Sequence, residues 1–257
     1  MWHGIIGHDD VVEQFRRILM SGRLASTYLF VGPPGVGKRR FALELAHSLL
    51  CTEAPEASLQ PCGNCESCRM FATGNHPDLE LICLPPDRST LPISLFVGDH
   101  DHRNQEGLCH RIGLRSFFGR RKVAIIDDAD HFGIESANCL LKTLEEPPPS
   151  ALLILIGTSP SRQLPTIRSR SQIVRFRALD AETVAQILLD TGAISDPTQA
   201  RRAAELGDGS AERARALADP VLWQFRDQLL SALTAARPDS VRLGRAIQAF
   251  TDEAGKE

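Results

Sequence analysis

The sequence predicts an α/β protein built on a mostly parallel β-sheet with helices on both faces. Apolar runs at residues 28–31, 122–126 and 151–157 have the length of buried strands. Segments with helical spacing of apolar residues separate these runs, and crossover connections of that kind make successive strands parallel. A glycine-rich turn directly after the first run is the third observation, because nucleotide-binding folds place their phosphate loop there.

That turn, residues 32–40, nearly completes a phosphate-binding loop. Its glycines let successive backbone amides face an anion, and the helix that follows directs its positive end to the same point. The alternative interpretation is a strand–helix turn that binds nothing. The predicted nucleotide-binding residues in this loop are Gly32, Gly35, Gly37, Lys38 and Arg39.

Arg39 occupies the position at which a complete loop has serine or threonine. That hydroxyl normally binds the magnesium ion that bridges the phosphates, and a guanidinium cannot bind a cation. The loop amides and Lys38 remain. The sequence therefore predicts that ATP can bind, but not that this site supports efficient magnesium-dependent hydrolysis.

Composition sets the outer limits of function. The 257 residues, 42% of them hydrophobic, can form one full domain and a smaller one. No apolar run approaches the roughly 20 residues that cross a bilayer, and the first residues lack the pattern of a secretory signal. We therefore expect a cytoplasmic protein without a membrane partner. A net charge of −3 leaves DNA contact to local patches such as residues 115–122, although such a run is more often a solvated turn before a strand.

Four of the seven cysteines have the spacing of a metal site. Cys62, Cys65 and Cys68 are separated by two residues each, and Cys51 lies upstream, so four thiolates can surround a tetrahedral zinc ion. The absence of a nearby histidine or carboxylate ligand favours a structural zinc site. Cys83 is the competing fourth ligand, but its strand-like surroundings favour the core, and a redox dithiol is the alternative chemistry.

Carboxylates follow the second predicted strand. In nucleotide-binding folds the first carboxylate after this strand assists magnesium and the next polarises the attacking water, which assigns these roles to Asp127 and Asp128. The second position normally carries glutamate in hydrolysing enzymes, and aspartate is one methylene shorter. At the end of the third strand, a polar residue, Thr158 or Ser159, is placed to sense a terminal phosphate, and Thr158 is the predicted nucleotide-binding residue.

The organisation changes near residue 180. Residues 173–176 predict a last strand, whereas residues 180–218 are typical of helices only, with breaks at 192–197 and 207–210. Pro220 indicates a boundary before another helical segment. We predict three domains: an α/β nucleotide-binding domain at 1–178 with a zinc module at about 51–68, a helical lid at 179–219, and a helical segment at 220–257.

Several motifs together resemble the bacterial clamp-loader subunits of the AAA+ class. The resemblance covers about residues 1–220 and is carried most specifically by the four-cysteine insertion together with the Leu-Leu-Lys-Thr-Leu-Glu-Glu-Pro-Pro segment at 140–148. Within that family the chain is more similar to the subunits without an active motor than to the gamma/tau motor subunits. The departures from the motor pattern are Arg39, Asp128 and Glu212, which stands where motors carry a phosphate-sensing arginine.

The resemblance implies a five-subunit ring that uses ATP to open the sliding clamp and place it on primed DNA. It implies the gamma/tau and delta subunits, the clamp and primer-template DNA as partners. It also implies that residues 220–257 are the start of a helical collar domain, which is short or truncated here. The family motif Ser-Arg-Cys is present as Ser169-Arg170-Ser171, and its arginine completes the ATP site of the neighbouring subunit. Arg170 is therefore the predicted catalytic residue, acting in trans, in a polymerase holoenzyme component without intrinsic ATPase activity.

Two other functions stay open at this point. One is a working gamma/tau-type clamp-loader ATPase in which water or Asp127 replaces the missing hydroxyl. The other is a zinc-dependent DNA-binding module, which the net charge and the lack of a basic helix beside the cysteines disfavour.

Overall fold

The protein was studied as a computed structural model, which describes residues 2–103, 105–234 and 240–254. It divides into two compact units, Met1–Ala178 and Leu179–Glu257. The strands are β1 (Thr27–Val31), β2 (Leu79–Ile82), β3 (Lys122–Ile126), β4 (Ala151–Gly157) and β5 (Gln172–Arg175). The helices of the first unit are α1 (Asp9–Met20), α2 (Lys38–Leu50), α3 (Glu66–Ala72), α4 (Ser94–Val97), α5 (Leu108–Gly113), α6 (Ile134–Glu145) and α7 (Pro165–Arg168).

The predicted parallel α/β sheet is confirmed in the first unit. Its five strands lie in the order β2-β3-β4-β1-β5, and every neighbouring pair is parallel. In a parallel sheet all strands end at the same edge. The segments that follow β1, β3 and β4 therefore meet at one edge of the sheet, where the sequence placed its nucleotide-binding residues.

The sheet is covered on both faces, which explains why its three inner strands, β1, β3 and β4, are almost continuous apolar runs and not alternating ones. Successive side chains point to opposite faces of a strand. Tyr28 and Phe30 accordingly belong to one buried cluster, with α1 and α2, while Leu29 and Val31 belong to the other, with α4 to α7.

Aromatic packing fixes α2 against the sheet. The ring of Phe15 on α1 lies 5.0 Å from Tyr28 and 5.8 Å from both Phe30 and Phe41, and none of these four side chains is exposed. Rings at these separations pack favourably beyond the area they bury. The start of α2, and with it the glycine-rich loop, is held in place by this cluster.

The segment at 87–111 contributes to the core. Phe96 on α4 and Leu108 on α5 are fully buried, and the backbone amide of Leu91 donates to the carbonyl of His131 at 2.9 Å. The Phe132 ring, two residues before the start of α6, packs on Phe96 with centroids 5.4 Å apart.

The second unit is helical in its described part. Its helices are α8 (Ala181–Asp190), α9 (Pro197–Leu206), α10 (Ala211–Ala216), α11 (Pro220–Leu233) and α12 (Ser240–Ala254). The first three end and begin at the predicted breaks, and the side chains of Asp180, Asp196 and Ser210 cap their first turns. The division into lid and collar stays a prediction. Among the described helices, none has the length and apolar character needed to cross a membrane.

Candidate nucleotide and metal sites

The glycine-rich loop has a backbone that only glycine adopts without strain. Gly32 has φ 156°, and a Cβ at this position would lie 2.3 Å from the carbonyl oxygen of Phe176. Gly37, with φ 96°, directly precedes the first residue of α2. Gly35 also has a positive φ, of 69°. All three predicted glycines therefore shape the turn that brings the N-terminus of a 13-residue helix to the end of β1.

Lys38 is turned into this loop. Its side chain is buried, and Nζ donates to the carbonyl oxygens of Gly32 at 2.8 Å and Pro33 at 2.6 Å. The ammonium group is thus held over the loop by the loop's own backbone. This is the region in which a phosphate-binding lysine is needed.

Arg39 lies beside Asp127, at the place where magnesium is expected in this fold. Its Nη1 atom is 3.4 Å from Oδ2 of Asp127. Burial raises the pKa of Asp127, while the backbone amide of Asp128 and the cations Arg39 and Lys38 act in the opposite direction. The guanidinium therefore supplies the positive charge that this carboxylate would otherwise take from a metal ion.

Asp128, the expected water-polarising residue, is hydrogen-bonded to the segment that follows β2. It has φ 55°, is exposed, and accepts a hydrogen bond from the backbone amide of Leu84 at 3.4 Å. Cys83, assigned to the core by the sequence, is half-buried instead and stands beside Arg39, Asp127 and Asp128. The sequence missed this because Cys83 belongs to an apolar run, although it follows the last residue of β2 and so reaches the strand-end edge.

Thr158 is held by a residue that the sequence analysis did not single out. Its amide and its hydroxyl both donate to Oδ2 of Asp130, and the side-chain amide of Gln163 donates to Oδ1 of the same carboxylate. The Thr158 carbonyl accepts from the amide of Gly32 at 3.1 Å, which joins the ends of β4 and β1. Asp130 therefore fixes the predicted phosphate-sensing residue. In the sequence, the signal that could have identified Asp130 was its position three residues after Asp127.

Arg170 lies away from this edge. It precedes β5, whose residue Arg175 pairs with Val31 directly before the glycine-rich loop. The strand between Gln172 and Arg175 spans about 10 Å at about 3.3 Å per residue, so Arg170 lies beyond the opposite edge of the sheet. There its Nη2 atom is 2.5 Å from Oε1 of Glu145, and Nη1 donates to the carbonyl oxygen of Thr166.

The four predicted metal-binding thiols come together. The sulfur atoms of Cys51, Cys62, Cys65 and Cys68 all lie within 4.8 Å of one another. Two of the separations are 4.0 Å, from Cys51 to Cys65, and 3.9 Å, from Cys62 to Cys68. A tetrahedron with Zn–S bonds of about 2.3 Å has S···S separations of about 3.8 Å. The cluster therefore fits a tetrahedral ion such as Zn²⁺, and Cys83 is not one of its members.

Backbone amides support the thiolate form of the cluster. The amide of Cys62 donates to the sulfur of Cys51 at 3.3 Å, that of Cys65 to Cys62 at 3.3 Å, and that of Cys68 to Cys65 at 3.4 Å. Burial opposes ionisation of Cys65, but hydrogen bonds from Thr52 and Cys68 outweigh it and lower the pKa to about 6. Burial and the neighbouring Cys65 raise the pKa of Cys68. Metal binding stabilises such neighbouring thiolates.

A buried polar network connects the cysteine module to the sheet. The hydroxyl of Ser67 on α3 donates to the carbonyl of Leu50 at 2.7 Å and lies 2.9 Å from Nε2 of His76. Nδ1 of His76 in turn accepts from the backbone amide of Asp78 at 3.1 Å. Burial lowers the pKa of His76, which favours the neutral imidazole.

Asp78 is the centre of this network. Its side chain is 1% exposed, and its carboxylate accepts from the Ser116 hydroxyl at 2.9 Å and from the amides of Phe117 at 2.8 Å and Phe118 at 3.1 Å. Nζ of Lys122, the first residue of β3, lies 3.8 Å away. Lys122 is thus buried, which corrects the expectation of a solvated basic turn at this position.

The adjoining basic residues also have partners within the chain. Arg121 makes a two-point contact with the carboxylate of Glu56, at 2.9 and 2.8 Å, and Arg120 donates to the carbonyl of Thr52 at 2.7 Å. These contacts attach the cysteine module to the start of β3. The basic run therefore serves internal packing, which weakens the hypothesis of a DNA-binding patch.

Replacing Asp78 with alanine is expected to lower the free energy of unfolding of the first unit by about 3–5 kcal/mol, because a buried ammonium and three donors lose their acceptor. Chemical denaturation monitored by circular dichroism measures this. Asp87→Ala, which removes an exposed carboxylate, is the control and should change stability by less than about 0.5 kcal/mol. Equal effects of the two substitutions would contradict the structural role of Asp78.

Comparison with protein families gives a match over most of the first unit. The family model described as DNA polymerase III, delta subunit, matches residues 7–180 of this chain. DNA polymerase III subunit delta' of Pseudomonas aeruginosa is 38% identical over 146 residues, which are 57% of this chain and 41% of the relative. Subunit gamma/tau of Mycobacterium tuberculosis is 32% identical over 222 residues, which are 85% of this chain and 36% of the relative. The chain thus spans less than half the length of each of these relatives.

Among solved structures, a RuvB variant from Thermotoga maritima has a similar fold. It superposes with a TM-score of 0.50 at 16% sequence identity, over 95% of this chain and 70% of that one. At this identity the likeness concerns the fold alone.

Proposed function

The chain belongs to the DNA polymerase III delta subunit family, as a delta prime member related to the gamma/tau subunits, and from this premise we propose that it is a clamp-loader subunit that donates Arg170 to a neighbour's ATP site. Its own phosphate loop binds nucleotide without efficient hydrolysis. The work of this subunit is then to complete and regulate the ATP chemistry of the motor subunit beside it.

The position of Arg170 carries the proposal. Because β5 runs towards the phosphate loop, the residue that precedes it lies at the far edge of the sheet and cannot reach the phosphates bound by its own chain. It is exposed, and its partner Glu145 is exposed as well. An arginine with this placement is available to the ATP of an adjacent subunit, where its planar guanidinium stabilises the charge on the transferring phosphoryl group.

The loss of intrinsic hydrolysis follows from four residues. Arg39 replaces the magnesium-binding hydroxyl, and Asp128 replaces the longer glutamate and bonds to the backbone of Leu84. The Thr158 hydroxyl is bonded to Asp130. In the second unit, Glu212 stands in the first turn of α10 at the position of the motor subunits' arginine. Arg39 thus removes a magnesium ligand, Asp128 lacks the reach of glutamate to the attacking water, and the hydrogen bond to Asp130 occupies the Thr158 hydroxyl.

We assign a structural zinc ion to the four-cysteine cluster. The four sulfurs would hold the ion, and as a closed set of four ligands they leave no position for a substrate. The ion would join the end of α2, through Cys51, to the start of α3, through Cys65 and Cys68. It contributes stability to this module and takes no part in phosphate chemistry.

The proposed partners are those of a clamp-loader ring: the gamma/tau motor subunits, the delta subunit, the sliding clamp and primer-template DNA, in the cytoplasm. The second candidate is a working ATPase of the gamma/tau type, which the similarity to subunit gamma/tau over 85% of the chain favours. Magnesium-dependent ATP turnover by the isolated chain separates the two, because the proposed subunit has none.

Reconstitution tests the proposal. Motor and delta subunits are assembled with and without this chain, and ATP turnover is measured in the presence of clamp and primed DNA. We expect the assembly that contains the chain to turn over ATP at least about tenfold faster, since it gains an arginine at one subunit boundary. Failure of the chain to enter the assembly, or turnover by the isolated chain at the rate of a motor subunit, would refute it.

A further inference from the structure

The residues at the expected magnesium position do not fit a magnesium ion. This cation needs oxygen ligands in nearly octahedral geometry. The hydroxyl that would provide one ligand is replaced by Arg39, and the carboxylate that would assist, Asp127, lies 3.4 Å from the guanidinium nitrogen of Arg39. A metal ion would have to displace the guanidinium of Arg39 and approach a second positive group, since Lys38 is held over the same loop.

In the Arg39–Asp127 pair, the guanidinium supplies the positive charge that the metal ion supplies in related sites. The guanidinium neutralises Asp127, whose side chain is only 18% exposed and whose charge would otherwise repel a phosphate. Arg39 itself is 53% exposed, and a guanidinium carries five N–H donors in a planar fork that matches phosphate oxygens. Asp127 and Cys83 lie beside the group, and its exposed part can donate to an anion on the loop.

We propose that Arg39 is a built-in substitute for magnesium, so that this site binds a nucleoside di- or triphosphate in its metal-free form. The inference rests on the proposed nucleotide-binding role of the loop and deepens it. Free magnesium ions compete with Arg39 for the phosphate oxygens, and they therefore weaken binding at this site. In a phosphate loop that requires the metal, by contrast, magnesium ions strengthen nucleotide binding.

Isothermal titration calorimetry of the full chain tests this, with ADP and ATP as probes in EDTA and in millimolar magnesium. For the native chain we expect a Kd in EDTA equal to or lower than that in magnesium. For Arg39→Thr we expect the reverse, with binding in EDTA weakened about tenfold or more by the loss of a charged hydrogen-bonding group and partly restored by magnesium. Arg39→Lys keeps the charge but not the fork, and should show an intermediate loss.

Arg40→Thr is the matched control, because it removes the same charge from the next residue of α2. Its guanidinium contacts the carbonyl oxygen of His3, at 3.5 Å, and not Asp127. The control should retain the native response to EDTA, and circular dichroism of each variant checks the fold.

Three results would overturn the inference: native binding that requires magnesium, identical responses of Arg39→Thr and Arg40→Thr, or no nucleotide binding by the native chain under either condition. The last result would leave the proposed donation of Arg170 standing, because stimulation of the motor subunits depends on Arg170 at the other edge of the sheet and not on nucleotide binding by this chain. Conversely, metal-free binding by a chain that fails to stimulate the motor subunits would leave this inference intact.

Discussion

Replacing Arg170 with alanine should lower ATP turnover at the adjoining motor site by on the order of 10³-fold while the ring still assembles. The reason is that an arginine supplied in trans acts on charge that develops only in the transition state. The effect should therefore fall on kcat and leave the KM for ATP nearly unchanged. Steady-state turnover of the reconstituted assembly, with clamp and primed DNA, measures both constants. Where several motor sites contribute to the signal, single-turnover measurements isolate the affected one.

Two variants make the result specific. Arg168→Ala removes an exposed arginine from α7, two residues earlier, and should leave turnover within about twofold of the native value, since an exposed side chain without a role contributes little. Glu145→Gln releases Arg170 from its partner but keeps the guanidinium, so activity should survive. An Arg170→Ala assembly with native turnover would remove this residue from the mechanism.

Removing the metal should unfold the cysteine module. Structural zinc ions contribute apparent binding free energies on the order of 10 kcal/mol. Three of the four cysteines lie in the segment between α2 and α3, where only Cys51 and Leu59 are buried, and Cys68 lies in α3. We expect one zinc ion per native chain by atomic emission. We also expect Cys62→Ser or a strong chelator to lower the Tm by roughly 10 °C or more and to open residues 51–68 to proteolysis.

Cys139→Ser is the appropriate control, because this half-buried thiol on α6 lies outside the cluster of four. It should keep the native zinc content and the native cleavage pattern. A native chain that carries no zinc, or one whose melting temperature is indifferent to chelation, would contradict a metal-stabilised module. A redox dithiol would instead respond to oxidants by losing two free thiols.

Much of the fold could be predicted because its signals are local. Buried parallel strands produce continuous apolar runs, and the glycines of the phosphate loop produce a fixed pattern at the end of β1. The thiol cluster was predictable for the same reason, since three of its members lie within seven residues of one another. Arg39 was visible as a departure from the loop pattern. These features depend on neighbours in sequence.

What could not be predicted depends on contacts between distant segments. No pattern indicates that Arg39 reaches Asp127, that Cys83 lies beside both, or that Asp130 accepts two hydrogen bonds from Thr158. The segment at 87–111 has polar composition, and its burial of Phe96 depends on the position of α6. Burial and ion pairing of Lys122 likewise follow from Asp78, 44 residues earlier in the chain.

The Asp78 network has a consequence for how this part of the molecule opens. The amides of Phe117 and Phe118 are bonded to a carboxylate on another segment, and that segment is bonded through His76 to α3 of the cysteine module. Neither segment can detach alone without leaving a buried charge or a buried donor unpaired. The module, the 76–78 segment and the turn before β3 therefore form one cooperative unit in local unfolding, and damage at the thiols is transmitted to the edge of the sheet.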